Sequence, residues 1–86
     1  MTSSESQLIH SFVKTKGQEV RLALKRYNEQ YWLDLRVWYQ PEKSPDFRPT
    51  QKGVCLALNQ LSELRIGLER LTKAAERLPD LEGAKT

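Results

Sequence analysis

The stretch "EVRLALKRYNEQYWLDLRVWY", residues 19 to 39, decides the fold. Side chains on a strand alternate between two faces. Val20, Leu22 and Leu24 therefore point one way, and Arg21, Ala23, Lys25 and Tyr27 the other. After the polar turn "YNEQ" the alternation resumes. Leu33, Leu35 and Val37 lie on one side, with Trp32, Asp34, Arg36 and Trp38 opposite. Two amphipathic strands joined by a short polar turn predict an antiparallel hairpin with one apolar face and one cationic, aromatic face.

Upstream, "LIHSFVKT" (8–15) is rich in β-branched and aromatic residues and predicts a first strand, closed by a turn at Gly17. Met1 to Gln7 reads as a flexible tail. Downstream, Pro41, Pro45 and Pro49 exclude a central strand or a helix interior from "QPEKSPDFRPTQKG". The segment reads as a long loop carrying Lys43, Arg48 and Lys52. Val54, Leu56 and Leu58 then form another alternating run, backed by the small residues Gly53, Cys55 and Ala57. Asn59 has the side chain of a helix N-cap. Apolar residues at 61, 64, 68, 71, 75 and 78 form a helical stripe, and Pro79 ends it before a C-terminal tail, 79–86. The expected class is α+β, four strands and one C-terminal helix (β-β-β-β-α). The helix folds back over the apolar sheet face, within one domain spanning 8–78.

Eighty-six residues make a small core, which leaves room for self-association. Gly67 lies beside the leucine stripe, and a mid-helix glycine costs roughly 1 kcal/mol relative to alanine. Its presence points to close approach of another backbone. Leu64, Gly67, Leu68 and Leu71 are thus the expected dimer interface.

Between residues 14 and 52 there are nine Lys or Arg against five acids, and from 53 onward five against five, so the excess positive charge is confined to the middle segment. Such asymmetry suits a polyanion or an acidic partner. On the open sheet face the cations interleave with large aromatics, which need a cover. Either a second subunit or a ligand with flat rings would serve. Single-stranded nucleic acid meets the second description, because phosphates pair with Lys and Arg while bases stack on rings.

An enzyme reading finds little support. The one His and one Cys, His10 and Cys55, are far apart in the chain and assemble neither a nucleophile pair nor a zinc site, and no glycine-rich phosphate loop is present. No cofactor is expected. One cysteine and no stretch of about 18 apolar residues read as an intracellular protein without a membrane span.

The order "WLDLRVWY", proline loop, "RPTQKGVCLALNQLSEL" and closing helix resembles the positive cofactor 4 family of transcriptional coactivators over residues 18–78. The resemblance rests on Leu33, Asp34, Leu35, Arg36, Val37, Trp38 and Tyr39, on Arg48, Pro49, Lys52, Gly53, Val54 and Leu56, and on Asn59, Gln60 and Leu61. It implies a homodimer of curved antiparallel sheets that binds single-stranded or melted DNA with little sequence preference. The family's stacking aromatic falls on Tyr27, its strand arginine on Arg36, its strand-end aromatics on Trp38 and Tyr39, and its loop lysine on Lys52. Arg48 matches a basic loop position. Two departures stand out: Asn28, Glu29 and Gln30 replace a basic turn, and Leu61 replaces a helix-start tryptophan.

The expected nucleic-acid-binding set is Arg21, Lys25, Tyr27, Trp32, Arg36, Trp38, Tyr39, Arg48 and Lys52. The expected role is that of a single-stranded DNA-binding protein in transcription coactivation, replication or recombination, with transcription or replication proteins as further partners. It would act in the nucleoid or cytoplasm of a bacterial or phage system, or in a eukaryotic nucleus. Alternative readings are a protein-interaction module docking on that machinery, and an RNA-binding protein.

Overall fold

The computed structural model describes residues 5–78. Four strands, β1 (Glu5–Thr15), β2 (Gln18–Tyr27), β3 (Gln30–Tyr39) and β4 (Arg48–Ala57), form one antiparallel sheet in the order β1-β2-β3-β4. A 3-10 turn (Leu58–Gln60) leads directly into the single helix α1 (Leu61–Glu76).

The turns have local causes. In the β2–β3 hairpin Tyr27 faces Gln30, leaving two loop residues, Asn28 and Glu29, at φ 54° and 61°. Positive φ at both positions gives the loop the twist of the flanking strands. The β1–β2 turn places Gly17 at φ 79°, where a residue without Cβ is unstrained.

The register sets the two faces as expected. Val20 faces Val37, Leu22 faces Leu35 and Leu24 faces Leu33, while Leu35 and Leu33 face Val54 and Leu56 on β4. The reverse face carries the rows Arg21–Arg36–Gly53, Ala23–Asp34–Cys55 and Lys25–Trp32–Ala57.

Four expectations need correction. Glu5 to Gln7 belong to β1 rather than to a tail; residues 1–4, Pro79 and the 79–86 tail lie outside the described residues. Arg48 to Gly53 are strand, not loop, although Pro49 is among them. β4 is an edge strand, where a missing N–H leaves no ladder bond unmade. Leu58 is in the 3-10 turn, and Asn59 does not cap the helix: the N-cap position is Gln60 and no side-chain cap bond forms. With the chain already helical at Leu58, the first amides of α1 are approached by a 3-10 turn instead of a side chain.

The last correction concerns the helix. It meets its own sheet only near its start, where Leu61, Leu64 and Leu68 with Leu22 and Leu58 wall an apolar hollow of about 530 Å3. No residue of the helix is buried, and Leu68 and Leu71 are 53% and 63% exposed. The passage from β4 through one 3-10 turn includes no linker that would reverse the chain onto the sheet. Among the described residues only Leu33 and Asp34 are buried.

Candidate nucleic-acid interface

The polar face is concave. One groove of about 740 Å3 is lined by Glu5 and Ser6 of β1, by Lys25 to Tyr27 of β2, by Asp34, Arg36 and Trp38 of β3, and by Pro49 to Gln51 of β4. In a flat sheet the two outer strands stand about 14 Å apart, so their meeting around one groove reflects strong curvature. Its causes are the register shifts between Leu8 and His10, between Val13 and Thr15, and between Arg36 and Trp38. Extra residues in one strand bend it and increase its twist.

The floor of the groove is an ion pair. Asp34 is 2% exposed. Arg36 Nε donates to both carboxylate oxygens at 3.2 Å, and Nη2 donates to Oδ1 at 2.8 Å. Nη1 donates to the Thr50 carbonyl at 3.0 Å. Hydrogen bonding to Asp34 raises the Arg36 pKa above its already high ordinary value, so the guanidinium stays charged. Lys25 Nζ is 3.8 Å from Asp34 Oδ2. Thr50 is fixed in turn: its hydroxyl donates to the Val37 carbonyl at 2.8 Å and accepts from the Lys52 amide at 3.1 Å.

Gly53 permits this arrangement. A Cβ there would come within 2.5 Å of the Leu35 carbonyl oxygen and 2.8 Å of Arg36 Cα. The close approach that a glycine at this position suggests is thus made by the neighbouring strand of the same chain.

Arg21 stands directly opposite Arg36, a pairing that repels. The two side chains diverge. Arg21 Nε donates to Glu19 at 3.0 Å, and its guanidinium lies over the rings of Trp38 and Phe47, 4.5 Å and 5.2 Å from their centroids. One face of Trp38 is therefore covered by a cation. The Gln40–Phe47 loop that brings Phe47 here is anchored by the Gln40 amide donating to the Gly17 carbonyl at 2.9 Å.

Of the nine expected site residues, Lys25, Tyr27, Arg36 and Trp38 line the groove. Tyr27 is 54% exposed, the barest ring among them. Arg21 acts at one remove, against Trp38. Trp32 lies on the same face but is half-buried, with its indole Nε1 out of reach of any acceptor. Tyr39 and Arg48 pair with each other at the strand ends. Lys52 is not in the groove: it borders a hollow on the apolar face with Val20, Leu35, Val37 and Val54. Lys52 is two positions before Val54 on β4, so strand alternation sets it on the apolar face, away from the polar row.

Sequence reasoning missed Phe47 and the contributions of Glu5, Ser6, Arg26 and Thr50 to Gln51. Phe47 had a readable signal, since it is the one aromatic in an otherwise polar loop. The β1 residues had none, because only the curl of the sheet carries them across.

A cationic, aromatic groove on one sheet face, with an apolar surface and a projecting helix on the other side, defines a class of small α+β binding module. Within that class the chain belongs to the family of the transcriptional coactivator p15 (PC4), whose model matches residues 14–66. Two solved structures share its fold. A PC4 homolog from Burkholderia pseudomallei is 22% identical, with a TM-score of 0.70, over 79% of this chain and 98% of that one. The bacteriophage T5 homolog of the eukaryotic coactivator PC4, implicated in recombination-dependent DNA replication, is 20% identical, with a TM-score of 0.69, over 92% of this chain and 90% of that one. No curated protein matches the chain.

Proposed function

We propose that this protein is a non-catalytic, intracellular DNA-binding protein that takes single strands in the concave groove, with little preference for sequence. The observation that carries the reading is the convergence of Lys25, Arg36, Tyr27 and Trp38 on one groove. Cations meet the phosphates, and Tyr27 offers a ring on which any base can stack. Membership of the PC4 family supports a DNA-binding role. The phage homolog's part in recombination-dependent replication supports replication and recombination alongside transcription coactivation as the setting.

The working unit is a homodimer, built on the apolar sheet face and on Leu64, Gly67, Leu68 and Leu71 of α1. The exposure of Leu68 and Leu71 supports this, because apolar side chains in a row need a cover.

The test compares a single strand with a duplex of the same length by fluorescence anisotropy across a salt series. The single strand binds more tightly, and its log affinity falls with log salt by about 0.7 for each phosphate neutralised. Equal affinity for the duplex, or binding indifferent to salt, overturns the reading.

A further inference from the structure

We infer that Asp34 is a positioning residue of the groove: its carboxylate holds the Arg36 guanidinium and the Lys25 ammonium in the places where they meet a strand's phosphates. The inference rests on the single-strand reading above. It starts from an oddity, a carboxylate set in the floor of a groove that is read as taking a polyanion. Asp34 opposes phosphate by Coulomb repulsion, and its burial sacrifices hydration. Such a group is retained to good effect only if it acts through its neighbours.

The neighbours are arranged for that. In its row Asp34 lies between Ala23 and Cys55, two small side chains that leave space above the carboxylate. Arg36 reaches back to it along β3, and Lys25 reaches it diagonally from β2. Gly53 lets β4 close against Arg36, so that the Thr50 carbonyl can take Nη1.

Guanidinium has five N–H donors. Asp34 and Thr50 engage three of them, on Nε, Nη2 and Nη1. Two remain on a group whose orientation is already set. Lys25, with 43% of its side chain exposed, keeps its ammonium at the groove while pinned from below. Fixing both cations beforehand lowers the ordering cost of binding. Without the carboxylate, Arg36 would keep one partner, the Thr50 carbonyl, while standing opposite a second arginine, Arg21.

Asp34→Asn separates this role from simple electrostatics by the sign of its effect. The change is nearly isosteric and makes the groove more positive by one charge. If Asp34 were only a repulsive charge, the variant would bind single strands more tightly and with a steeper salt dependence. If it positions the two cations, the variant binds about tenfold more weakly, a loss of the size expected for one misplaced cationic contact. Its log-log salt slope also falls by about 0.7 or more.

The measurement uses the full chain and a fluorescent oligothymidylate, with circular dichroism and light scattering to show that fold and assembly match the parent. If the parent itself fails to bind the oligonucleotide, the single-strand reading falls, and this inference with it. If the parent binds and Asp34→Asn binds equally well or better, only the inference is overturned.

Should Asp34→Asn fail to fold, Lys25→Gln, Arg36→Lys and their double variant give the same answer. Two cations tied to one carboxylate have coupled effects on affinity, and strict additivity refutes the tie.

Discussion

Tyr27 and Lys25 are two positions apart on the same face of β2, yet they are expected to act by different physics. Tyr27→Ala removes a ring, so affinity for single strands falls by about 1 to 3 kcal/mol while the salt slope stays nearly unchanged. Lys25→Gln removes a charge and lowers the slope by about 0.7, weakening all sequences alike. Lys52→Ala has a smaller effect than Lys25→Gln, because Lys52 borders the opposite face. Anisotropy titrations at several salt concentrations resolve all three. Gly53→Ala is a structural change at the same scale. The added methyl meets backbone atoms of β3 within 2.9 Å, and backbone cannot swing aside as a side chain can. Overpacking of this kind costs about 1 to 3 kcal/mol, read as a lower urea midpoint. A Gly53→Ala variant as stable as the parent would show that the β3–β4 approach is looser than described.

At the scale of elements, α1 raises the question of what it packs against. Its stripe is regular, but within the chain only Leu64 and Ala75 are half-buried and the rest is exposed. Gly67 is the informative position, since a Cβ there meets nothing within 4 Å in its own chain. An isolated helix would gain about 1 kcal/mol from Gly67→Ala. The proposed dimer contact reverses that sign. Gly67→Ala then lowers both the unfolding midpoint and the dimer affinity, as measured by urea denaturation and sedimentation equilibrium. A stabilised variant of unchanged mass removes Gly67 from the interface.

Taken as a whole molecule, the chain is open. Its Cα radius of gyration is 15.6 Å, whereas a compact chain of this length has roughly 12 Å. Leu33 is the single buried hydrophobic residue among those described, too little core for an independently stable fold. The proposed dimer would supply the missing burial, a twofold contact being the commonest solution. Light scattering is expected to give twice the chain mass at micromolar concentration. The thermal midpoint should rise with protein concentration, because dissociation and unfolding are linked. A monomeric mass with a concentration-independent midpoint would refute the dimer.

The strands were legible because alternation is a local property: Val20, Leu22 and Leu24 separate from Arg21, Ala23 and Lys25 whatever the rest of the chain does. The two-residue hairpin and the helical stripe were legible for the same reason. Pro49 misled, because a proline excludes a central strand but not an edge, and which strand is an edge is decided by the sheet. Asn59 misled because capping depends on whether the preceding residues are already turning. Composition and spacing identified Lys25, Tyr27, Arg36 and Trp38 as candidates, whereas the family resemblance added Lys52, a residue read as loop that in the strand alternates with Val54 onto the opposite face. By itself the sequence determined the element types, the two-faced sheet and the cationic, aromatic character of its open face, since all three follow from side chains a few positions apart. Only the tertiary structure decided which cations share the groove, that Asp34 anchors two of them, and that the helix leaves its own sheet uncovered, since these depend on register shifts, curvature and the path between residues distant in sequence.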